Sequence, residues 1–185
     1  MRAELDNEAG QVLLQIARAA ISRELGVQQE MHEDAQWLHD QGACFVTLKQ
    51  AEDLRGCIGT LRAHRPLVED VKANALGAAF RDPRFSPLVA RELEITRVEV
   101  SLLSQVEELT CKSEREALAK LRPGIDGVIF EYGYHHSTFL PQVWAELPDP
   151  ADFVAHLKQK AGLPPDFWDP EVKLGRYTVS KWCEQ

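Results

Sequence analysis

The chain has 185 residues, of which 44% are hydrophobic and 27% charged, and it carries a net charge of −8. That length suits one domain with room for two lobes, and the composition suits a soluble globular protein with a packed core. The acidic balance and the lack of a basic run argue against electrostatic attachment to nucleic acid or to an anionic membrane.

The opening stretch, MRAELDNEAGQVLLQIARAA, has no positive region followed by a continuous apolar block, so it does not read as a signal peptide. No stretch approaches the roughly 18 consecutive apolar residues of a membrane span. The expected location is the cytoplasm. Residues 6–25 read as an amphipathic helix, with Ala9, Val12, Leu13, Ile16 and Ala20 on one face. Asp6 or Asn7 suits its N-cap, and Gly26 its C-terminal stop. A polar connection, residues 28–41, leads to Gly42.

ACFVTLKQ (43–50) and DLRGCIGTL (53–61) read as the two strands of a hairpin, joined by a polar turn. Residues 66–81 read as a second helix, with Pro66 at its first position and Leu67, Val71, Ala75 and Ala78 facing inward. Pro83 and Pro87 in RDPRFSPL end it. RVEVSLLS (97–104) is a further strand. KSEREALAKLRPG is a short helix capped by Ser113, with Glu116 completing a capping-box pattern. DGVIFEYG and STFLPQV are two more strands. DPADFVAHLKQKAGL is a helix with Asp149 as cap, Pro150 at its first turn and Gly162 as stop. VKLGRYTVSKW reads as one final strand. Interspersed hairpins and helices give an α+β class, an antiparallel sheet with helices packed on it, in a single domain spanning 1–185.

Glycine weakens a strand interior and usually marks a bend or a close approach. Gly56 and Gly59 therefore draw attention to the cysteine between them. Residues two apart on a strand share a face, so Arg55 and Cys57 point the same way unless a bulge intervenes. A free cysteine has a pKa of about 8.5, which leaves about 3% thiolate at neutral pH; a nearby cation favours the reactive form. Spacing alone leaves two readings open: a thiolate beside a guanidinium in a glycine-walled pocket, or a cysteine that only packs. In DPRF (82–85), Asp82 binds Arg55 or a substrate amine, or else it holds the turn through its own backbone hydrogen bonds. Cys44, Cys111 and Cys183 have weaker cases, and no CxxC pair suggests a metal or disulfide framework; four reduced thiols are expected.

No metal site is expected. His135 and His136 are adjacent on a strand and face opposite sides. His32 and His39, seven apart, are about 10.5 Å apart on a helix. His64 lies more than about 20 Å along an extended chain from Cys57 unless a turn returns it. Trp144, Trp168 and Trp182 sit in apolar surroundings and read as core or lobe-contact residues.

LRGCIGT (54–60) resembles the hallmark of the AMMECR domain family, known in prokaryotes as protein A of the AmmeMemoRadiSam system. The match continues in order through FVTL from Phe45, DPRF from Asp82, EVSLL from Glu99, DGVIF from Asp126, FLPQV from Phe139 and KAGLPPDFW from Lys160. It covers the chain from about Gly42 to Trp182. The resemblance implies an antiparallel sheet of about five strands flanked by helices, with a smaller lobe forming a cleft. By name and gene grouping it implies association with a Memo-type protein and a radical S-adenosylmethionine (SAM) enzyme. The expected substrate is a small molecule or a peptide, and no cofactor is expected. Arg55, Gly56, Cys57, Ile58, Gly59, Thr60, Asp82, Arg84 and Phe85 carry over by position. Cys57 is then the expected nucleophile, assisted by Arg55, with Gly56, Gly59, Thr60, Asp82 and Arg84 meeting substrate or partner. The alternative is a non-catalytic adaptor that docks partners along LRGCIGT. The chain departs from the expected pattern at YHHST (134–138), where a basic turn containing glycine or alanine is expected.

Overall fold

The computed structural model describes the backbone of residues 2–185 and the side chains from Glu8 onward. In chain order the first elements are α1 (Arg2–Glu24), β1 (Ala43–Gln50), β2 (Asp53–Gly59), α2 (Leu67–Phe80) and β3 (Thr96–Leu103). Then come β4 (Glu107–Leu109), α3 (Glu114–Lys120), β5 (Gly127–Tyr132), β6 (His135–Phe139), α4 (Pro150–Lys160), β7 (Lys173–Tyr177) and β8 (Val179–Cys183). Three short 3-10 turns, at 36–39, 90–95 and 141–145, fill connections. The fold is α+β, and its strands form two four-stranded sheets, ordered β2-β1-β3-β8 and β4-β7-β5-β6. The chain divides into two compact units, Met1–Leu103 with Ser180–Gln185, and Ser104–Val179. None of the described helices is long and apolar enough to cross a membrane.

In the first unit, α1 begins ahead of Asp6 and Asn7; their side chains, and so the expected caps, lie outside the described residues. Gly26 stops the helix at φ +79°, with the N–H of Val27 returning to the Ser22 carbonyl at 2.8 Å. Leu13, Ile16, Ala17, Ala20 and Ile21 are buried along one stripe of α1. Cys44, Val46 and Leu48 of β1 meet Val98 and Val100 of β3 in the same core, as strand alternation requires. Val68, Val71, Ala75, Ala78 and Ala79 of α2 pack over them. Pro66 sits one residue ahead of α2 rather than inside it.

A polar cluster enters this core from α2. Asp70 and Asn74 lie one turn apart on the buried side of α2. The Asp70 carboxylate accepts from the Cys44 N–H at 2.9 Å, the Thr60 hydroxyl at 2.7 Å and Arg65 at 2.8 Å. Asn74 donates to the Cys44 carbonyl at 3.0 Å. Every buried group there finds a partner, which is the condition for tolerating polarity inside.

In the second unit, β5 and β7 form the sheet centre, with Val128, Phe130 and Leu174 buried beneath α3 and α4. Ser113 caps α3 by accepting the Glu116 N–H. Asp149 caps α4 through the N–H groups of Ala151 and Asp152. Trp144 stacks on Phe153 at 3.8 Å between centroids and donates its indole N–H to the Asp126 carbonyl at 2.6 Å. Lys158 is 1% exposed, and its ammonium is held by Glu114 at 2.7 Å and the Phe167 carbonyl at 3.1 Å. The final stretch that reads as one strand is two: β7 and β8 flank Thr178 and belong to different sheets.

Candidate functional site

β2 is an edge strand, so one side of its backbone has no neighbouring strand. Its pairing with β1 sets Gly59 opposite Phe45, Cys57 opposite Thr47 and Gly56 opposite Leu48, and then slips by one residue. The slip leaves Arg55 as the bulged residue, with Leu54 opposite Lys49. Simple alternation therefore breaks between Arg55 and Cys57.

The bulge turns Arg55 toward Glu92. Its Nε and Nη2 donate to the two carboxylate oxygens at 3.0 and 3.1 Å, a fork-to-fork pair. Glu92 also accepts from the side-chain amide of Gln50 at 3.0 Å and the N–H of Val89 at 3.0 Å. The Arg55 hydrogen bonds hold the Glu92 carboxyl at about 2, against the opposing effect of burial. The third nitrogen of Arg55, Nη1, is buried without a hydrogen-bond partner. Arg55 is thus committed to Glu92, a residue the sequence reading did not single out, and not to the expected thiol.

Cys57 is half-buried on the sheet face turned away from α2. The Thr47 hydroxyl donates to its sulfur at 3.3 Å. Thr47 also stands opposite Glu99 of β3, so thiol, hydroxyl and carboxylate form a row across three strands. Glu99 is 6% exposed and is paired with Lys49 at 3.3 Å and Lys181 at 2.7 Å.

The backbone of Cys57 is held from the outer edge of the sheet. Its N–H donates to Asp82 Oδ2 at 2.9 Å, and its carbonyl accepts from Arg84 Nη2 at 3.2 Å. Arg84 in turn grips Asp82, Nε to Oδ1 at 2.9 Å and Nη2 to Oδ2 at 2.6 Å. Asp82 Oδ1 also accepts the N–H of Arg84 at 3.1 Å, which closes the turn that DPRF announces. The Arg84 guanidinium, helped by the Cys57 N–H and opposed by burial, keeps the Asp82 carboxyl far below the usual carboxylate range. Asp82 is 4% exposed, and it binds neither Arg55 nor open space.

The glycines serve internal packing. A Cβ on Gly56 would stand 2.1 Å from the Ala78 carbonyl oxygen, so the glycine admits the backbone of α2. A Cβ on Gly59 would stand 2.1 Å from the Phe45 ring. Both positions expected to receive substrate or partner are filled on the side-chain side by the protein itself. Thr60 is likewise turned inward, to Asp70. The structure brings together Cys57, Asp82 and Arg84 from the expected set, adds Thr47, and separates off Arg55, Gly56, Gly59 and Thr60.

The remaining candidates lie apart. Cys44 is fully buried, and burial with Asp70 beside it pushes its thiol far above the ordinary value. Burial also raises the Cys111 thiol. All four cysteines are free. His64 is exposed and bonded to the Arg62 carbonyl at 3.1 Å. His135 meets the Ala161 carbonyl at 2.8 Å, and His136 meets that of Tyr134 at 3.2 Å. Among the described residues, no group of three His, Cys, Asp or Glu side chains is placed to hold a metal ion.

Comparison with known proteins places the chain in a family. The AMMECR1 family model matches residues 14–182. Protein MJ0810 of Methanocaldococcus jannaschii is 39% identical, over 92% of this chain and 87% of its own length. A protein of Methanothermobacter thermautotrophicus is 37% identical, over 98% of this chain and 97% of its own. The crystal structure of the uncharacterized protein PH0010 from Pyrococcus horikoshii matches with a TM-score of 0.79 at 36% identity, covering 96% of this chain and 92% of that one. The chain belongs to the AMMECR1 domain family.

Proposed function

We propose that the chain is a cytoplasmic component of a modification pathway shared with a Memo-type protein and a radical SAM enzyme, and that its part is played by the Cys57 thiol. The observation that carries this reading is the mounting of that one cysteine. Its sulfur accepts the Thr47 hydroxyl, while its N–H and carbonyl are both fixed by the Asp82–Arg84 turn. A cysteine that only fills space needs packing on its side chain; here the polar contacts converge on backbone and sulfur together. A group fixed in this way meets a substrate without having to be ordered first.

The reaction class that fits is acyl transfer to the thiol. The sulfur attacks the carbonyl carbon of a small or peptidyl acyl donor and forms a thioester bond. The bond from that carbon to the leaving group breaks, and the thiol proton departs with the leaving group. Thr47 orients the sulfur. No group on the chain needs to change oxidation state, so radical chemistry stays with the partner enzyme.

The test is adduct capture. Wild-type protein and Cys57→Ser are expressed with the Memo-type protein and the radical enzyme and examined by intact mass and peptide mapping. A hydroxylamine-labile adduct on the Cys57 peptide, absent in Cys57→Ser, is the expected result. An unmodified Cys57, with pathway output equal in wild type and Cys57→Ser, contradicts the reading.

A further inference from the structure

We propose that Arg84, and not Arg55, is the cation that serves Cys57, and that it selects a small anionic electrophile for the thiol. The proposal rests on the reading of Cys57 as a nucleophile, and it names the substrate class for that site.

Three contacts fix the Arg84 guanidinium. Asp82 takes Nε and Nη2 as a fork, the Cys57 carbonyl takes Nη2 as well, and the Phe85 ring lies 5.5 Å from the guanidinium carbon. The other terminal nitrogen, Nη1, makes no hydrogen bond to the protein among the described residues, and the side chain is 54% exposed. A guanidinium held on one edge and free on the other is a ready donor for a carboxylate or phosphate. Its position is set by the same residue that carries the thiol, so an anion docked on Nη1 lies beside Cys57. The Asp82 hydrogen bond raises the Arg84 pKa, so the guanidinium keeps its charge. Arg55 has no such opening: both forks of its pair with Glu92 are closed, and its remaining nitrogen is buried.

Alkylation reads this directly. Iodoacetate and iodoacetamide are near-isosteres that differ in charge, and both form a sulfur–carbon bond with loss of iodide and release of the thiol proton to buffer. The rate constants at Cys57 are measured by peptide mass spectrometry in a Cys111→Ser, Cys183→Ser background, and their ratio is compared among variants of equal melting temperature. Arg84→Gln is expected to lower the iodoacetate-to-iodoacetamide ratio by about threefold, the scale of one unit charge about 7 Å away in water. Arg55→Gln is expected to leave the ratio unchanged. In the parent protein the ratio is expected to fall as salt rises from about 20 mM to about 500 mM, because screening weakens an exposed charge; this arm needs no variant to fold. An unchanged ratio in Arg84→Gln, an equal loss in Arg55→Gln, or a salt-independent ratio overturns the proposal. Reagent selectivity is independent of the pathway, so it can succeed where adduct capture fails, and the reverse.

Discussion

Asp82 Oδ2 accepts the main-chain N–H of Cys57 at 2.9 Å, joining the turn after α2 to the outer edge of β2. Arg84 completes the contact by donating to the carbonyl of the same cysteine. A carboxylate and a guanidinium thus occupy the acceptor and donor places of an absent neighbouring strand. The arrangement closes at Cys57 an edge that would otherwise invite pairing with another chain. Replacing Asp82 with alanine leaves that N–H without its partner. The expected loss is about 1–3 kcal/mol of stability, the usual cost of an unsatisfied buried donor. Asp82→Asn keeps an acceptor and is expected to lose less. Urea unfolding of the two variants checks both the size and the order, and equal stability of Asp82→Ala and wild type would contradict the assignment.

The two hallmark glycines are expected to differ when substituted. Gly56→Ala drives a methyl group into the Ala78 carbonyl, and backbone cannot move aside cheaply. A loss above about 3 kcal/mol, or failure to fold, is expected, beyond the usual overpacking range of about 1–3 kcal/mol. Gly59→Ala meets the Phe45 ring instead, and a ring can rotate. Its loss is expected within that range and to be partly relieved by Phe45→Ala. Thermal melts of the three variants decide it; equal losses at the two glycines would count against the packing account.

The Arg55–Glu92 pair gives acid sensitivity with a definite sign. Arg55 holds the Glu92 carboxyl at about 2, whereas an unfolded glutamate titrates at about 4.3. The unfolded chain takes up the proton first, so the pair's contribution is complete above about pH 4.3 and is lost as pH falls through about 2. Asp82 has the same sign and persists to stronger acid, because its carboxyl is held lower still. Glu92→Gln is expected to be less stable at neutral pH and to lose less stability between about pH 4.5 and 2 than wild type does. Denaturation midpoints across that interval check it, and identical acid slopes would rule out this source.

The β1–β2 turn holds a site for stabilisation. Ala51 sits at φ +52°, a left-handed conformation that costs a residue with a Cβ roughly 1–2 kcal/mol. Ala51→Gly removes the clash and adds some unfolded-state entropy. A net gain of up to about 1 kcal/mol is expected, read as a raised melting temperature. A lowered melting temperature would show that Ala51 is not strained.

Most elements were legible because their period was local. The α1 stripe, the β1–β2 hairpin and the Asp149–Pro150 start of α4 appear in the sequence and in the structure alike. The split of the last stretch into β7 and β8 was not legible, since alternation continues across Thr178 while the chain changes sheets. At the site, Cys57, Asp82 and Arg84 were found, but their relation was not. A carboxylate 25 residues away that accepts an edge N–H leaves no periodic trace. Arg55 was misplaced because one bulge reverses the face that alternation assigns. Glu92 and Thr47 gave no motif of their own. Asp70 and Asn74 could have been found, because they fall between the apolar positions of α2 on its inward side.

The central claim is that Cys57 is a chemically used thiol, and the most direct measurement is the mass of that residue's peptide after work with the proposed partners. The account predicts a hydroxylamine-labile adduct on Cys57 in wild-type protein, lost in Cys57→Ser together with pathway output. An unmodified Cys57, with output unchanged in Cys57→Ser, would contradict it.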